Sequence, residues 1–266
     1  MTRTWTFRHS SVVPAPPHAV WNRVVTPEGI NDEMRPWMTM SIPRGVGDVS
    51  MAAAELVGAS GHVHGIDRAP AALSLARARV ERAGMAQVTF ADGDIYTYTP
   101  DRTFDALVGR FILLHVPDPV GAIRRLTAFL NPGATVAFIE MDIDQAGSVP
   151  KIPLLAGCVD IISQTYRKVG VEPNMGENLY ATFRSAQLSP ELTGMTRITN
   201  ASDMVIYGFI AQTITSLMPA IEKSGIASAE TIDVPTLAER LQEQAVAGDV
   251  MIMMPRLVGA WARIPG

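Results

Sequence analysis

Arg44-Gly45-Val46-Gly47-Asp48-Val49-Ser50, with Asp67 twenty residues beyond Gly47, decides how this chain folds. The glycines let the backbone approach a ligand closely. A helix opening at Asp48 turns its free N–H groups and positive dipole end toward the same point. His62-Val-His-Gly-Ile-Asp67 reads as a strand ending on an acid that can accept both ribose hydroxyls of a nucleoside. A glycine turn opening a helix, followed by a strand ending in a carboxylate, is the layout of a nucleotide-type cofactor site in a doubly wound α/β domain.

The alternation continues downstream. Pro70 opens a helix over 71–83 closed by Gly84, and 87–91 is a strand running into Asp92-Gly-Asp94-Ile95. Residues 104–109 are nearly all apolar, as a buried parallel strand should be. Asp118-Pro119 starts a helix running to Leu130 and closed by Asn131-Pro-Gly133, and 134–141 is a further strand. Strands alternating with helices at this spacing predict a parallel sheet with helices on both faces. Beyond Asp144 the pattern predicts a helix over 151–169, a polar-aromatic connection over 170–190 and a strand over 191–199. Helices over 202–223 and 235–247 follow, then a last strand from Val250 in which Pro255 fits an edge or a bulge.

Composition narrows the function classes. With 266 residues, 47% hydrophobic and 18% charged, the chain can bury a full core. Its net charge of -4 and lack of a Lys/Arg run argue against a nucleic-acid partner. One cysteine, Cys158, excludes an intrachain disulfide or a thiolate metal cluster, and its apolar setting reads as an inert core thiol. No apolar run approaches the roughly eighteen residues of a membrane span, and the N-terminus has no signal-peptide core. A soluble cytoplasmic protein without a membrane partner is expected.

Upstream of the glycine turn the grammar differs. A strand over 5–13, the Pro14-Ala-Pro-Pro17 turn and a short helix over 18–25 resemble the start of the START-like (SRPBCC) lipid-binding family over about residues 5–44. No set of antiparallel strands follows to complete a cavity, so a working lipid pocket is not expected.

From residue 39 onward the chain resembles the class I S-adenosylmethionine-dependent methyltransferases. The resemblance rests on Gly45-Val-Gly-Asp-Val-Ser, Val63-His-Gly-Ile-Asp67, Phe90-Ala-Asp-Gly-Asp-Ile95, the run from Phe104 to His115, and Leu130-Asn-Pro-Gly133. It implies an α/β fold, a doubly wound and mostly parallel Rossmann-like sheet with a helical lid and a C-terminal antiparallel strand. The implied organisation is a START-like fragment over 1–38, a cofactor-binding core over 39–145, and lid helices with C-terminal strands over 146–266. The implied cofactor is S-adenosyl-L-methionine. Gly45, Val46 and Gly47 would line its methionine moiety, Asp67 with Arg68 its ribose, and Asp94 with Ile95 its adenine, while Arg110 and Phe111 flank the methionine end. His115 is either a packing or helix-start residue or a general base.

One departure from the family pattern lies just upstream of the turn. In register with Gly45 and Gly47, Ser41 replaces the family's acid and Pro43 its first glycine. Proline fixes φ and gives up an N–H, and serine cannot supply a carboxylate's charge-assisted bond. Cofactor binding about ten- to hundredfold weaker is expected.

Methyl transfer from an activated sulfonium needs alignment more than a base, and no base is evident by motif. Glu140, Asp142 and Tyr166 are the candidate substrate contacts, the two acids reading either as substrate-positioning groups or as solvated loop acids. The acids lack a companion His or Asn at metal spacing, so no metal is expected. Asn174, Glu177 and Tyr180 fall in the expected lid. The reading is a methyltransferase acting on a small molecule. Its alternatives are an inactive fusion that binds cofactor weakly and an NAD-dependent oxidoreductase, though no Tyr-x-x-x-Lys set supports the latter.

Overall fold

Gly47 has φ 82°, a backbone that favours glycine, and it turns the chain into α1 (Asp48–Val57), which ends at Gly58 with φ 69°. The computed structural model describes residues 47–266. The START-like segment, Ser41, Pro43, Gly45 and Val46 lie outside the described residues. By internal contacts the chain divides into two units, one ending at Asp92 and the other running from Gly93 to Gly266.

In the first unit, β1 (Val63–Asp67) leads through α2 (Pro70–Arg82) to β2 (Val88–Asp92). Proline at the first turn of α2 costs no intrahelical hydrogen bond, and Leu73, Ala76 and Val80 form its buried stripe. β1 and β2 pair in parallel from Val63 opposite Val88 to Asp67 opposite Asp92. Ala54, Val80 and Val88 are the buried centre, with Met51, Val63, Met85 and Phe90 packed against it.

The second unit begins with β3 (Phe104–Arg110), a 3₁₀ turn over Leu113–His115, α3 (Pro119–Thr127) and β4 (Leu130–Asp142). β5 (Gly147–Val149), α4 (Pro153–Lys168), α5 (Met175–Ser185), β6 (Glu191–Met195) and β7 (Ile198–Asn200) follow. α6 (Val205–Lys223), α7 (Ala229–Ile232), α8 (Leu237–Ala247), β8 (Met251–Met253) and β9 (Arg256–Arg263) complete it. Its main sheet has the order β3-β4-β9-β6, with β3 parallel to β4 and the other two pairings antiparallel. This is a mixed Rossmann-like sheet flanked by helices, with the antiparallel C-terminal strand that the sequence predicts. A second sheet, β5-β8-β7, is antiparallel throughout.

β4 organises the core. Ala134, Val136 and Phe138 alternate inward, and Phe138 meets Phe183 of α5 edge-to-face at 6.2 Å. Leu179 of α5 and Val258, Ala260 and Ala262 of β9 close the same cluster.

Several expectations need correction. Residues 170–190 are more than a connection, because α5 occupies about half of them. Met175, Leu179, Thr182 and Phe183 carry its helical period, which Gly176 and Asn178 obscure in the sequence. The last strand breaks at Pro255 into β8 and β9, which join different sheets, and the strand over 191–199 divides likewise into β6 and β7. β3 is not fully buried: Val108 is 49% exposed, and β3 is the edge of its described sheet. α6 has the length and apolar composition of a membrane-crossing helix. It packs against α4 and α8 and buries Ile206, Tyr207, Ile210, Ile214 and Ile221.

Candidate functional site

The predicted cofactor residues divide between the two units. In the first, the start of α1 lies beside β1. A Cβ built on Gly65 would stand 3.0 Å from Ser50 Oγ and 2.7 Å from the Phe90 ring. The same ring lies 3.5 Å from a Cβ built on Gly47, and Ala76 Cβ lies 3.1 Å from it. Phe90 therefore sits beside both glycines: it leaves no room for a Cβ at Gly65, while at Gly47 it is the left-handed φ of 82°, with Ala76 close by, that favours glycine. Asp67 closes β1 in an exposed position, where its Oδ1 accepts the Ala69 N–H at 2.8 Å. Arg68 follows it, also exposed.

In the second unit, Asp94 and Ile95 stand in the turn that opens the loop to β3. Asp94 Oδ1 accepts the Tyr96 N–H at 2.8 Å, and its carbonyl accepts the Tyr98 N–H at 2.8 Å. α3 secures this turn from outside. Arg125 Nη2 donates to the carbonyls of Thr97 and Tyr98 at 3.0 and 2.8 Å, and Tyr96 Oη accepts the Asp118 N–H at 2.8 Å.

Arg110 ends β3, and Phe111 follows with φ 53°, a left-handed conformation rare for a bulky side chain. The Phe111 N–H donates to the Ile139 carbonyl at 2.9 Å, its ring packs against the core, and the Arg110 guanidinium lies 6.0 Å from the ring centroid. His115 closes the 3₁₀ turn and is exposed.

Three acids crowd the carboxyl end of β4. Glu140 and Asp142 have no exposed surface, so they are not solvated loop acids. Glu140 Oε1 accepts the N–H groups of Leu113 at 2.7 Å and Ile112 at 3.0 Å, while its Oε2 is buried without a hydrogen-bond partner among the described residues. Burial pushes the Glu140 carboxyl up to about 7, against the pull of the N–H groups of Leu113, Ile112 and Leu114. Asp142 Oδ2 pairs with Arg256 of β9, and its Oδ1 accepts the Glu177 N–H at 2.8 Å at the start of α5. Burial raises the Asp144 carboxyl, but the Ser163 hydroxyl, the Asn174 amide and the Arg167 guanidinium outweigh it and hold Asp144 below the usual carboxylate range.

Tyr166, on the outer part of α4, is half-buried against the main core, and burial raises its hydroxyl. Asn174 and Glu177, expected in a lid, are engaged with Asp144 and Asp142, while Tyr180 is exposed. Burial pushes the Cys158 thiol up to about 11, with the Arg240 charge opposing. Among the described residues no group of His, Cys, Asp or Glu is arranged to hold a metal.

Sequence reading missed Arg256 and the inward aim of the acids. The signal was present: Glu140 and Asp142 continue the inward alternation of Val136 and Phe138.

Comparison with known proteins agrees with this architecture. Residues 45–187 match the family described as "Methyltransferase domain". Residues 11–63 match a domain of unknown function (DUF8410), so the START-like resemblance of the N-terminal segment finds no support there. Aklanonic acid methyltransferase DauC of Streptomyces sp. (strain C5) is 35% identical over 115 residues, covering 43% of this chain and 52% of the relative. The demethylmenaquinone methyltransferase of Anoxybacillus flavithermus is 30% identical over 134 residues, covering 50% and 56%. The chain thus spans about half the length of the curated relatives it matches. In fold, it superposes on the YcgJ protein of Bacillus subtilis with a TM-score of 0.52 at 16% identity, covering 83% of this chain and 89% of that one. The chain belongs to the methyltransferase-domain family and has the class I S-adenosylmethionine-dependent methyltransferase fold.

Proposed function

We propose that this protein is an S-adenosylmethionine-dependent methyltransferase whose acceptor is a small molecule of the quinone or naphthoquinone type. The observation that carries the proposal is Gly47. It is left-handed at the mouth of α1 with the Phe90 ring and Ala76 directly beneath, in the unit where exposed Asp67 closes β1. That is a fit for a nucleoside-bearing cofactor: a left-handed glycine at the N-terminus of a helix, and a carboxylate accessible at the carboxyl end of a strand. The relatives named for aklanonic acid and demethylmenaquinone support the acceptor class.

S-adenosylmethionine supplies an activated methyl group when bound. In this reading the chain's own residues bind and orient. Gly45, Val46 and Gly47 offer backbone to the methionine moiety, and Asp67 with Arg68 takes the ribose. Asp94 and Ile95 meet the adenine from a turn that Arg125 stiffens, and Arg110 and Phe111 border the methionine end. An acceptor hydroxyl or ring carbon needs alignment with the methyl group more than it needs a protein base. Tyr166 remains a candidate acceptor contact. Glu140 and Asp142, engaged with backbone and with Arg256, serve this reading better as supports than as direct contacts.

Calorimetric titration with S-adenosylhomocysteine and, separately, NAD tests the proposal. Heat with the first and none with the second is expected; the reverse would replace it with the oxidoreductase reading. Ser41→Asp combined with Pro43→Gly should tighten S-adenosylhomocysteine binding about ten- to hundredfold, and no gain would show that these positions are not in register with the family's acid and glycine.

A further inference from the structure

The segment Arg110–His115 carries a contradiction that Glu140 resolves. Phe111 holds a left-handed backbone, which costs free energy and persists only where the surroundings over-determine it. On one side, the strand supplies the Ile139 carbonyl to the Phe111 N–H. On the other, the next two N–H groups, of Ile112 and Leu113, converge on a single carboxylate oxygen, Glu140 Oε1, from the adjoining strand. Farther on, the Leu114 carbonyl accepts the Glu172 N–H at 2.9 Å. Glu140 is the only side chain in this set, and the only member whose bonding changes with a proton.

We propose that Glu140 is the positioning residue of the Arg110–His115 backbone, holding Phe111 in its left-handed state through the Ile112 and Leu113 N–H groups and gripping more firmly as a carboxylate than as an acid. The inference rests on the assignment of Arg110 and Phe111 to the cofactor site.

The chemistry supports the direction. An ionised carboxylate accepts both N–H groups in charge-assisted bonds, roughly twice as strong as the neutral kind. The proton therefore decides how tightly the segment is tied down. Glu140 titrates near neutrality because it is buried, and Oε2 has no hydrogen-bond partner among the described residues to favour either form. The charged or titratable groups on neighbouring elements include Arg110 at the end of β3, Asp142 on β4, Arg256 on β9, Tyr166 on α4, Glu177 on α5, Glu172 before α5 and His115 in the turn. Asp142 and Arg256 pair with each other at 2.6 Å, and Glu177 lies 3.9 Å from Arg256. Glu172 Oε1 accepts the Asn174 N–H at 3.0 Å. The upward push on Glu140 is burial alone, opposed only by backbone N–H groups.

The test is the affinity for S-adenosylhomocysteine at pH 6 and pH 8, in the wild-type chain and in Glu140→Gln, whose amide oxygen can accept the same N–H groups but does not titrate. Wild-type affinity should rise about tenfold from pH 6 to pH 8, and Glu140→Gln should be flat and close to the wild-type value at pH 6. Exchange protection of the Ile112 and Leu113 amides relative to the core amides of β4, read without ligand, should rise with pH in the wild type and not in Glu140→Gln. Binding with the same pH profile in both proteins, and amide protection equal in both, would overturn the inference while leaving the cofactor site intact. No binding by the wild type at either pH would overturn the site reading on which it rests.

Discussion

Arg256 and Asp142 lock the end of the central strand to its neighbours. The guanidinium reaches Asp142 Oδ2 through Nη2 at 2.6 Å and Nε at 2.7 Å, and the opposite oxygen accepts the first N–H of the Glu177 turn at 2.8 Å. One buried carboxylate thus joins β4, β9 and α5. A Cβ on Gly176 would stand 2.6 Å from Asp142 Oδ1, so the start of α5 must pass this close. A carboxylate at a helix N-terminus also faces the favourable end of the helix dipole.

Removing the cation should leave Asp142 charged and buried. Arg256→Ala is expected to lower stability by about 2–3 kcal/mol, less than for a fully buried pair because the Arg256 side chain is 38% exposed. Urea denaturation measures this directly. A loss under about 0.5 kcal/mol would mean that the Glu177 N–H alone suffices.

Glu140 predicts a stability that runs opposite to the usual carboxylate. Its folded value, about 7, is raised above the ordinary 4.5, so the folded chain binds more protons than the unfolded one between those limits. The contribution is fully present below pH 4.5 and is lost as pH rises through 7. Relative to wild type, Glu140→Gln should gain about 3 kcal/mol between pH 4.5 and pH 8. Denaturation curves at those two pH values check it, and a constant difference would contradict it.

Phe90 makes a third expectation. Because its ring occupies the space a Cβ on Gly65 would need, at 2.7 Å, Gly65→Ala should destabilise the chain by about 1–3 kcal/mol. Phe90→Leu in the same chain should recover part of that loss. Thermal denaturation of the single and double variants reads the coupling, and strict additivity would show that the two residues do not meet.

Much of this was legible in the sequence. The period of α1, α2, α3 and α4, and the apolar runs of β1, β2 and β4, announce themselves because each matches a single period over its length. α5 was hidden because Gly176 and Asn178 dilute its stripe, while the burial of Met175, Leu179 and Phe183 against β4 supplies what propensity does not. The split of the last strand was half legible: Pro255 marked the fault, but nothing local says that β8 and β9 enter different sheets. Local features were legible, as in the turn at Gly47 that opens α1 and the acid Asp67 that closes β1. Partners far apart in sequence were not: Asp142 and Arg256 are separated by 114 positions, and neither signals the other. Glu140 looked like an acid near a substrate mouth because its donors, two backbone N–H groups, have no sequence signature at all.

The proposal stands or falls most directly on Asp67. Isothermal titration of the whole chain with S-adenosylhomocysteine should give saturable binding that Asp67→Ala abolishes, while the variant keeps the wild-type denaturation midpoint because Asp67 is exposed. Binding of equal affinity in both proteins would contradict the assigned ribose site, and no heat at millimolar concentration with the wild type would contradict the cofactor itself.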